Sequence, residues 1–313
     1  MHTSYLHKTL GAGSVLHFFV NGLLLAALSA GAGSATELGG SVYPVGVETV
    51  LPGMVPAPGA SFLGEFNVFY QSNALVDGHG QNLVPGFHLR VNAFAVKFVH
   101  NWGVHALGGT LVSYTGVPFL CEHLDGAFGR GFKTGIGNLD VQPVAVAYQH
   151  GGLHWWYGLD VFAPGLQYKK SDLVNIGQHN FAVAPAAALT YMSKHHTEIS
   201  SKVQYIDNAK NNQTEYRSGN EFIWEYDGMQ NITRKLAIGV NGYYYQQTTD
   251  DLQFGLRVGD GNRGRDFAVG PEVRYHLGHM ALIAKYQRDT LVQNRPVGNN
   301  FWLQLGIPIG HHE

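Results

Sequence analysis

Apolar and polar residues alternate with a period of two along most of this chain, in stretches of about ten residues. Over 61–70, Phe62, Phe66, Val68 and Tyr70 share one face while Glu65 and Asn67 share the other. Further on, Phe87, Leu89, Val91 and Ala93 alternate with His88, Arg90 and Asn92. Leu153, Trp155, Tyr157, Leu159 and Val161 alternate with His154, Trp156, Gly158 and Asp160. Phe267, Val269, Val273 and Tyr275 alternate with Glu272, Arg274 and His276. Successive side chains of a strand point to opposite faces, so each stretch predicts a strand with one apolar and one polar face.

Twelve such strands are predicted, over 61–71, 86–99, 104–115, 137–148, 153–164, 180–192, 197–207, 219–228, 232–246, 266–276, 280–288 and 300–309. The connections alternate in length. Long ones fall near 72–85, 116–136, 165–179, 208–218, 247–265 and 289–299, and short ones at 100–103, 149–152, 193–196, 229–231 and 277–279. About ten residues cross a bilayer at a tilt, and outer-membrane barrels have short periplasmic turns and long external loops. The pattern predicts an all-β chain folded as an antiparallel transmembrane β-barrel of about twelve strands, with both ends in the periplasm.

Composition sharpens this. Charged residues are 13% of the chain, about half the usual share, and 41 glycines help fill the deficit. Aromatic residues crowd the strand ends, among them Tyr70, Trp102, Trp155, Tyr191, Trp224, Tyr275 and Trp302, as interfacial girdles require. A net charge of −2 leaves no basic stripe for nucleic acid, and one cysteine, Cys121, excludes a disulfide framework. Residues 1–35 have a polar start, an apolar stretch and a run of small residues ending at Ala35, the pattern of a cleaved secretory signal. Residues 36–59 do not alternate and hold Pro44, Pro52, Pro56 and Pro58. They predict an irregular segment that either hangs in the periplasm or folds back into the lumen as a plug. The barrel then occupies 60–313.

Motifs with a chemical look are weak. Gly259, Gly261 and Gly264 form GxGxxG, but a strand pattern follows where a dinucleotide site needs a helix. Seventeen histidines include adjacent pairs at 195–196 and 311–312, whereas ligands on one strand face should lie two apart. No catalytic residue, metal or cofactor is expected. Pro143, Pro185 and Pro271 each interrupt an alternating stretch, and proline removes a ladder hydrogen bond. They mark either the outer rim of the strands or breaks in the wall that open the lumen sideways to lipid. The polar faces supply the expected lumen lining: Glu65, Asn67, His88, Arg90, Asn92, His154, Trp156, Asp160, Glu272, Arg274 and His276.

Seven pieces, in order, carry a family likeness: GGSVYPVGVETVLPGMVPAPG (39–59), FLGEFNVFY (62–70), TGIGNLDVQP (134–143), FAVAPAAALTY (181–191), NNQTEYRSGNEF (211–222), VGPEVRY (269–275) and FWLQLGIPI (301–309). Together they resemble the outer-membrane barrels grouped as the MetA-pathway of phenol degradation family, relatives of FadL-type channels. The resemblance implies passive uptake of small hydrophobic, often aromatic, compounds across the outer membrane. Its implied partners are the solute, the membrane lipid and lipopolysaccharide. It also implies that 39–59 plugs the lumen. One departure is that the chain ends Gly310, His311, His312, Glu313 instead of on a terminal aromatic. Two other classes fit the same pattern: a structural or adhesive barrel binding a partner through its external loops, and an outer-membrane hydrolase.

Overall fold

Residues 40–310 are described in a computed structural model. The expected signal sequence, residues 36–39 and the His311–His312 pair lie outside the described residues. The described chain folds into strands β1 (Ser61–Leu75), β2 (His88–Ala106), β3 (Gly109–Gly126), β4 (Gly129–Ile136), β5 (Leu139–His150), β6 (Leu153–Ala163), β7 (Ala182–Met192) and β8 (Thr197–Asn208). There follow β9 (Tyr216–Arg217), β10 (Glu221–Asn231), β11 (Leu236–Gln247), β12 (Leu252–Gln253), β13 (Leu256–Arg257), β14 (Arg265–Leu277), β15 (Met280–Gln293) and β16 (Pro296–Ile309). No helix occurs among the described residues.

Twelve strands close a ring. Antiparallel neighbours run β1, β2, β3, β5, β6, β7, β8, β10, β11, β14, β15 and β16, and β16 pairs back with β1. Closure leaves no open edge, as a β-structure in lipid requires. The remaining strands lie outside the ring. β4 pairs with the far half of β3, and β9, β12 and β13 form a small sheet of their own.

All twelve predicted strands are present, but three connections differ from expectation. The expected turn at 100–103 lies inside β2, where Gly103 (φ +66°) sits in a register shift. The chain reverses instead at Leu107 and Gly108 (φ +52° and +82°), the left-handed pair that a tight hairpin demands. The expected loops 116–136 and 289–299 are mostly strand. β3 and β4 form a hairpin through the first, and only Asn294 and Arg295 separate β15 from β16 in the second. These strands run on past the length that lipid requires. Beyond it no apolar outer face is needed, so the alternation fades while the hydrogen-bond ladder continues.

The three prolines all leave gaps in the ladder. β5 shifts register between Val141 and Val144, around Pro143. β7 and β8 pair at Val183–Asp207 and next at Ala186–Gln204, skipping Pro185. β14 and β15 pair at Val269–Arg288 and next at Glu272–Lys285, skipping Pro271. Two of these gaps are stitched by side chains. Ser113 Oγ donates to the Pro143 carbonyl (2.7 Å), and Asn241 Nδ2 donates to the carbonyls of Gly270 (3.1 Å) and Pro271 (3.3 Å).

Candidate transport site

The segment 40–59 is too rich in proline to join a ladder, so its backbone groups must find side chains. It turns at Pro44, whose carbonyl accepts from the Val47 amide (3.1 Å). Gly46 takes φ +90°, a conformation that would strain any residue with a Cβ. There its amide donates to Glu225 Oε1 (2.6 Å) and its carbonyl accepts from Gln287 Nε2 (3.0 Å). Lys285 spends all three ammonium protons on the segment, on Gly46 O (2.7 Å), Val47 O (2.9 Å) and Thr49 Oγ1 (2.8 Å). Gln304 Nε2 donates to Val47 O (2.9 Å), Trp156 Nε1 to Pro52 O (2.7 Å) and Asn101 Nδ2 to Pro56 O (2.9 Å), while Gly53 N donates to Thr190 Oγ1 (3.1 Å). These partners come from β2, β6, β7, β10, β15 and β16, all around the ring. Only a segment inside the ring reaches them all.

Glu48 is the charged centre of this segment. Its carboxylate meets Lys97 of β2 and Lys202 of β8. Burial alone would raise its pKa, but the two ammonium groups hold it well below the ordinary carboxylate range. A depressed native pKa means stabilisation that is complete above the usual value of 4.5 and is lost as pH falls through the native one. The Glu48→Gln variant is therefore expected to unfold at a lower temperature than the parent near neutral pH. The difference should shrink as both are titrated below the usual carboxylate value, checked by heat-modified migration on gels. An equal difference at every pH would remove Glu48 as the titrating group.

The expected lumen residues divide by strand. His154, Trp156 and Asp160 of β6, and Glu272, Arg274 and His276 of β14, lie on the inward face with Phe162 and Ala268. Asp160 accepts from Gln142 Nε2 (2.7 Å), and Arg274 Nη1 pairs with Glu198 (2.6 Å). Glu65, Asn67, His88, Arg90 and Asn92 do not line the lumen: they share the outward face of β1 and β2 with Phe69, Phe94 and Phe98. The physical reason is that period two specifies two faces without saying which is inside. In β1 and β2 the apolar face is the inner one, because it lines an apolar cavity. Asn92 pairs with Phe69, level with the Phe69–Phe301 ring contact, so Arg90 and His88 stand beyond this aromatic level. Glu65 and Asn67 lie nearer mid-strand, where Asn67 Nδ2 donates to Glu65 Oε1 (3.0 Å).

The cavity measures about 360 Å³. Val42 to Val45 and Glu48 of the inserted segment bound it on one side. Phe66, Val68, Leu89, Val91, Ala93 and Leu120 form an apolar wall. Val96 and Val117, both on the outward face, also line it. The cavity thus reaches the outer surface of the barrel there. The reason lies in β3: on the side away from β2 it pairs with β5 up to Gly116 opposite Asp140, and with β4 from Phe119 opposite Ile136, leaving Val117 and Pro118 without ladder partners on that side. Gly137, between β4 and β5, keeps one bond, its amide to Pro118 O (3.0 Å). This break was missed in the sequence because 116–136 reads as loop. Its signal was Pro118 facing the Gly137–Asn138 bend. Lys202 and Lys285 were missed too, although each is the one lysine of its inward row, sharing it with Glu198 and Asp289 respectively.

The sequence profile of the family described as "Putative MetA-pathway of phenol degradation" matches residues 72–305. No curated protein matches the sequence. Among solved structures, an outer membrane channel from Pseudomonas putida F1 superposes with a TM-score of 0.72 at 16% identity, over 83% of this chain and all of that one. A Pseudomonas aeruginosa FadL homologue superposes only loosely, with a TM-score of 0.38 at 8% identity over 81% of this chain and 90% of that one.

Proposed function

Since the chain belongs to the phenol-degradation family of barrels and has the fold of a bacterial outer-membrane channel, we propose that it admits small hydrophobic, chiefly aromatic, compounds by passive diffusion. The observation that carries this reading is the apolar cavity that meets the barrel's outer surface at Val96 and Val117. A solute arriving from outside the cell finds the inserted segment across its way and an apolar wall beside it. Desolvating a phenyl-sized apolar surface of roughly 150 Å² contributes about 4 kcal/mol, enough to hold the solute but not to trap it. The route of least cost then runs sideways, past Val117 and Pro118, into the lipid. In this reading 40–59 is a plug, and the wall opening lies at Pro118 and Gly137 more than at Pro143, Pro185 or Pro271, two of which are stitched. His154, Trp156, Asp160, Glu272, Arg274 and His276 brace the lumen and hold the plug side of it. The protein is not an enzyme.

The test is initial uptake of a labelled, sparingly soluble aromatic by Gram-negative cells with intact lipopolysaccharide, beside a small labelled sugar. The parent protein should speed the aromatic alone. Equal gains for the sugar would make this a general pore, and no gain for either would favour an adhesive barrel. Ala93→Trp places an indole in the cavity from its inward wall and should cut aromatic uptake by about tenfold, which corresponds to losing about 1.4 kcal/mol, roughly a third of the 4 kcal/mol above. Folding of that variant is checked by heat-modified migration. An unchanged uptake rate in the folded variant would place the route elsewhere.

A further inference from the structure

The cavity has an apolar wall on β1–β3 and an excess of acids around it. Five carboxylic side chains line it, Glu48, Glu122, Asp140, Asp266 and Asp289, against two cationic ones, Lys97 and Arg295. Glu48 and Lys97 pair with each other, which leaves four acids facing one arginine.

Hydrogen-bond donors are short as well. Asp289 accepts from the Tyr243 hydroxyl (2.7 Å), the Tyr70 hydroxyl (3.2 Å) and the Gly298 amide (2.9 Å). The Tyr243 hydroxyl is also 3.2 Å from Asp266 Oδ2, yet it has a single proton to give. Asp266 Oδ1 has no partner, although the residue is only 2% exposed. Arg295 pairs with Asp266 only at long range and leaves its own Nη1 without an acceptor, so the donor it carries is not aimed at Asp266 Oδ1. Its Nε lies 3.9 Å from Asp266 Oδ2, too long for a hydrogen bond, and its guanidinium sits 3.8 Å over the Tyr245 ring. On the 164–181 connection, Gln178 lines the same cavity at 3% exposure, with neither side-chain amide atom partnered. Buried polar groups without partners are costly, and a site that leaves them so is completed by a ligand that supplies what they lack.

Resting on the reading of this cavity as the solute's path, we propose that it binds small hydrophobic amines in their ammonium form. The head lies at Asp266 and Asp289, and the apolar part lies against Phe66, Val68 and Val91. An ammonium brings three donors and a positive charge, a hydroxyl brings one donor, and a carboxylate brings only acceptors and a like charge. The aromatic rings of Tyr70, Tyr243 and Trp302 in the lining add faces that attract a cation.

Three ligands of nearly equal shape separate these cases: 2-phenylethylamine, 2-phenylethanol and phenylacetate. Their affinities for the purified protein in detergent at neutral pH are read by calorimetry and by the fluorescence of Trp302, which lines the cavity. The amine should bind at least about tenfold more tightly than the alcohol, with phenylacetate weakest, since one charge-assisted hydrogen bond is worth about that factor. Asp266→Asn should bring the amine to within about threefold of the alcohol. If the alcohol or phenylacetate equals the amine, the amine inference is overturned while the apolar cavity stands. If none of the three binds, the cavity is no solute site and both readings fall. Should Asp266→Asn fail to fold, the ligand series on the parent protein decides alone.

Discussion

Deleting residues 40–58 should turn a nearly closed barrel into a conducting pore, with single-channel conductance in planar bilayers rising by at least about tenfold. Eight strands enclose room for side chains only, and sixteen to eighteen leave an aqueous channel. A ring of twelve lies between and has space for one chain segment. The segment bonds to side chains from strands around the ring, so its removal frees that space without cutting any strand-to-strand ladder. Lys202, Lys285 and Glu225 would then face water and stay hydrated. The barrel should still fold, seen as heat-modified migration on gels, because the closed ladder of β1 to β16 is intact. If conductance stays at the parent's level in the folded deletion, the external loops block the lumen and the segment is no plug.

The second large effect separates the two faces of the wall. Arg274 is 1% exposed and pairs with Glu198, itself fully buried, at 2.6 Å. Asp227 and Glu272 lie on the same inward surface, and both are buried. Removing the guanidinium leaves this acidic group uncompensated inside the barrel, so Arg274→Ala should cost about 3–5 kcal/mol, the usual loss when one partner of a buried pair is removed. Arg90 stands on the outward face of β2, beyond the Phe69–Phe301 level, and Arg90→Ala should change stability by less than about 0.5 kcal/mol. Urea or heat unfolding of both variants checks the pair. Equal losses would mean that the inward and outward faces are misassigned.

The difference between these two arginines is also a measure of what was readable in the chain. Both sit in alternating stretches and both occupy the polar face, so the pattern treats them alike. What separates them is the content of the lumen at each strand. Beside β14 the lumen holds buried ion pairs, and its polar face turns in. Beside β1 and β2 it holds an apolar cavity, and the polar face turns out. That choice depends on groups brought together from distant parts of the chain, such as Val42 to Val45 against Phe66 and Val91, and no local pattern contains it. Pro118 makes the same point. A proline in a stretch without clean alternation reads as loop, and only the pairing of β3 with β5 and then β4 reveals it as a break in a wall.

The alternation by itself determined the strand count, the antiparallel ring and the position of four of the six external connections. Strand length and period are local properties, and crossing lipid forces both of them on every stretch. The proline-rich run ahead of β1 was marked as non-strand by the same local logic. Only the tertiary structure decided where that run goes, which face of each strand is inside, and where the ring is open. Those outcomes depend on which lysine finds which carbonyl and which carboxylate lacks a donor, and such matches are made between residues up to 257 positions apart, as Gln304 and Val47 are.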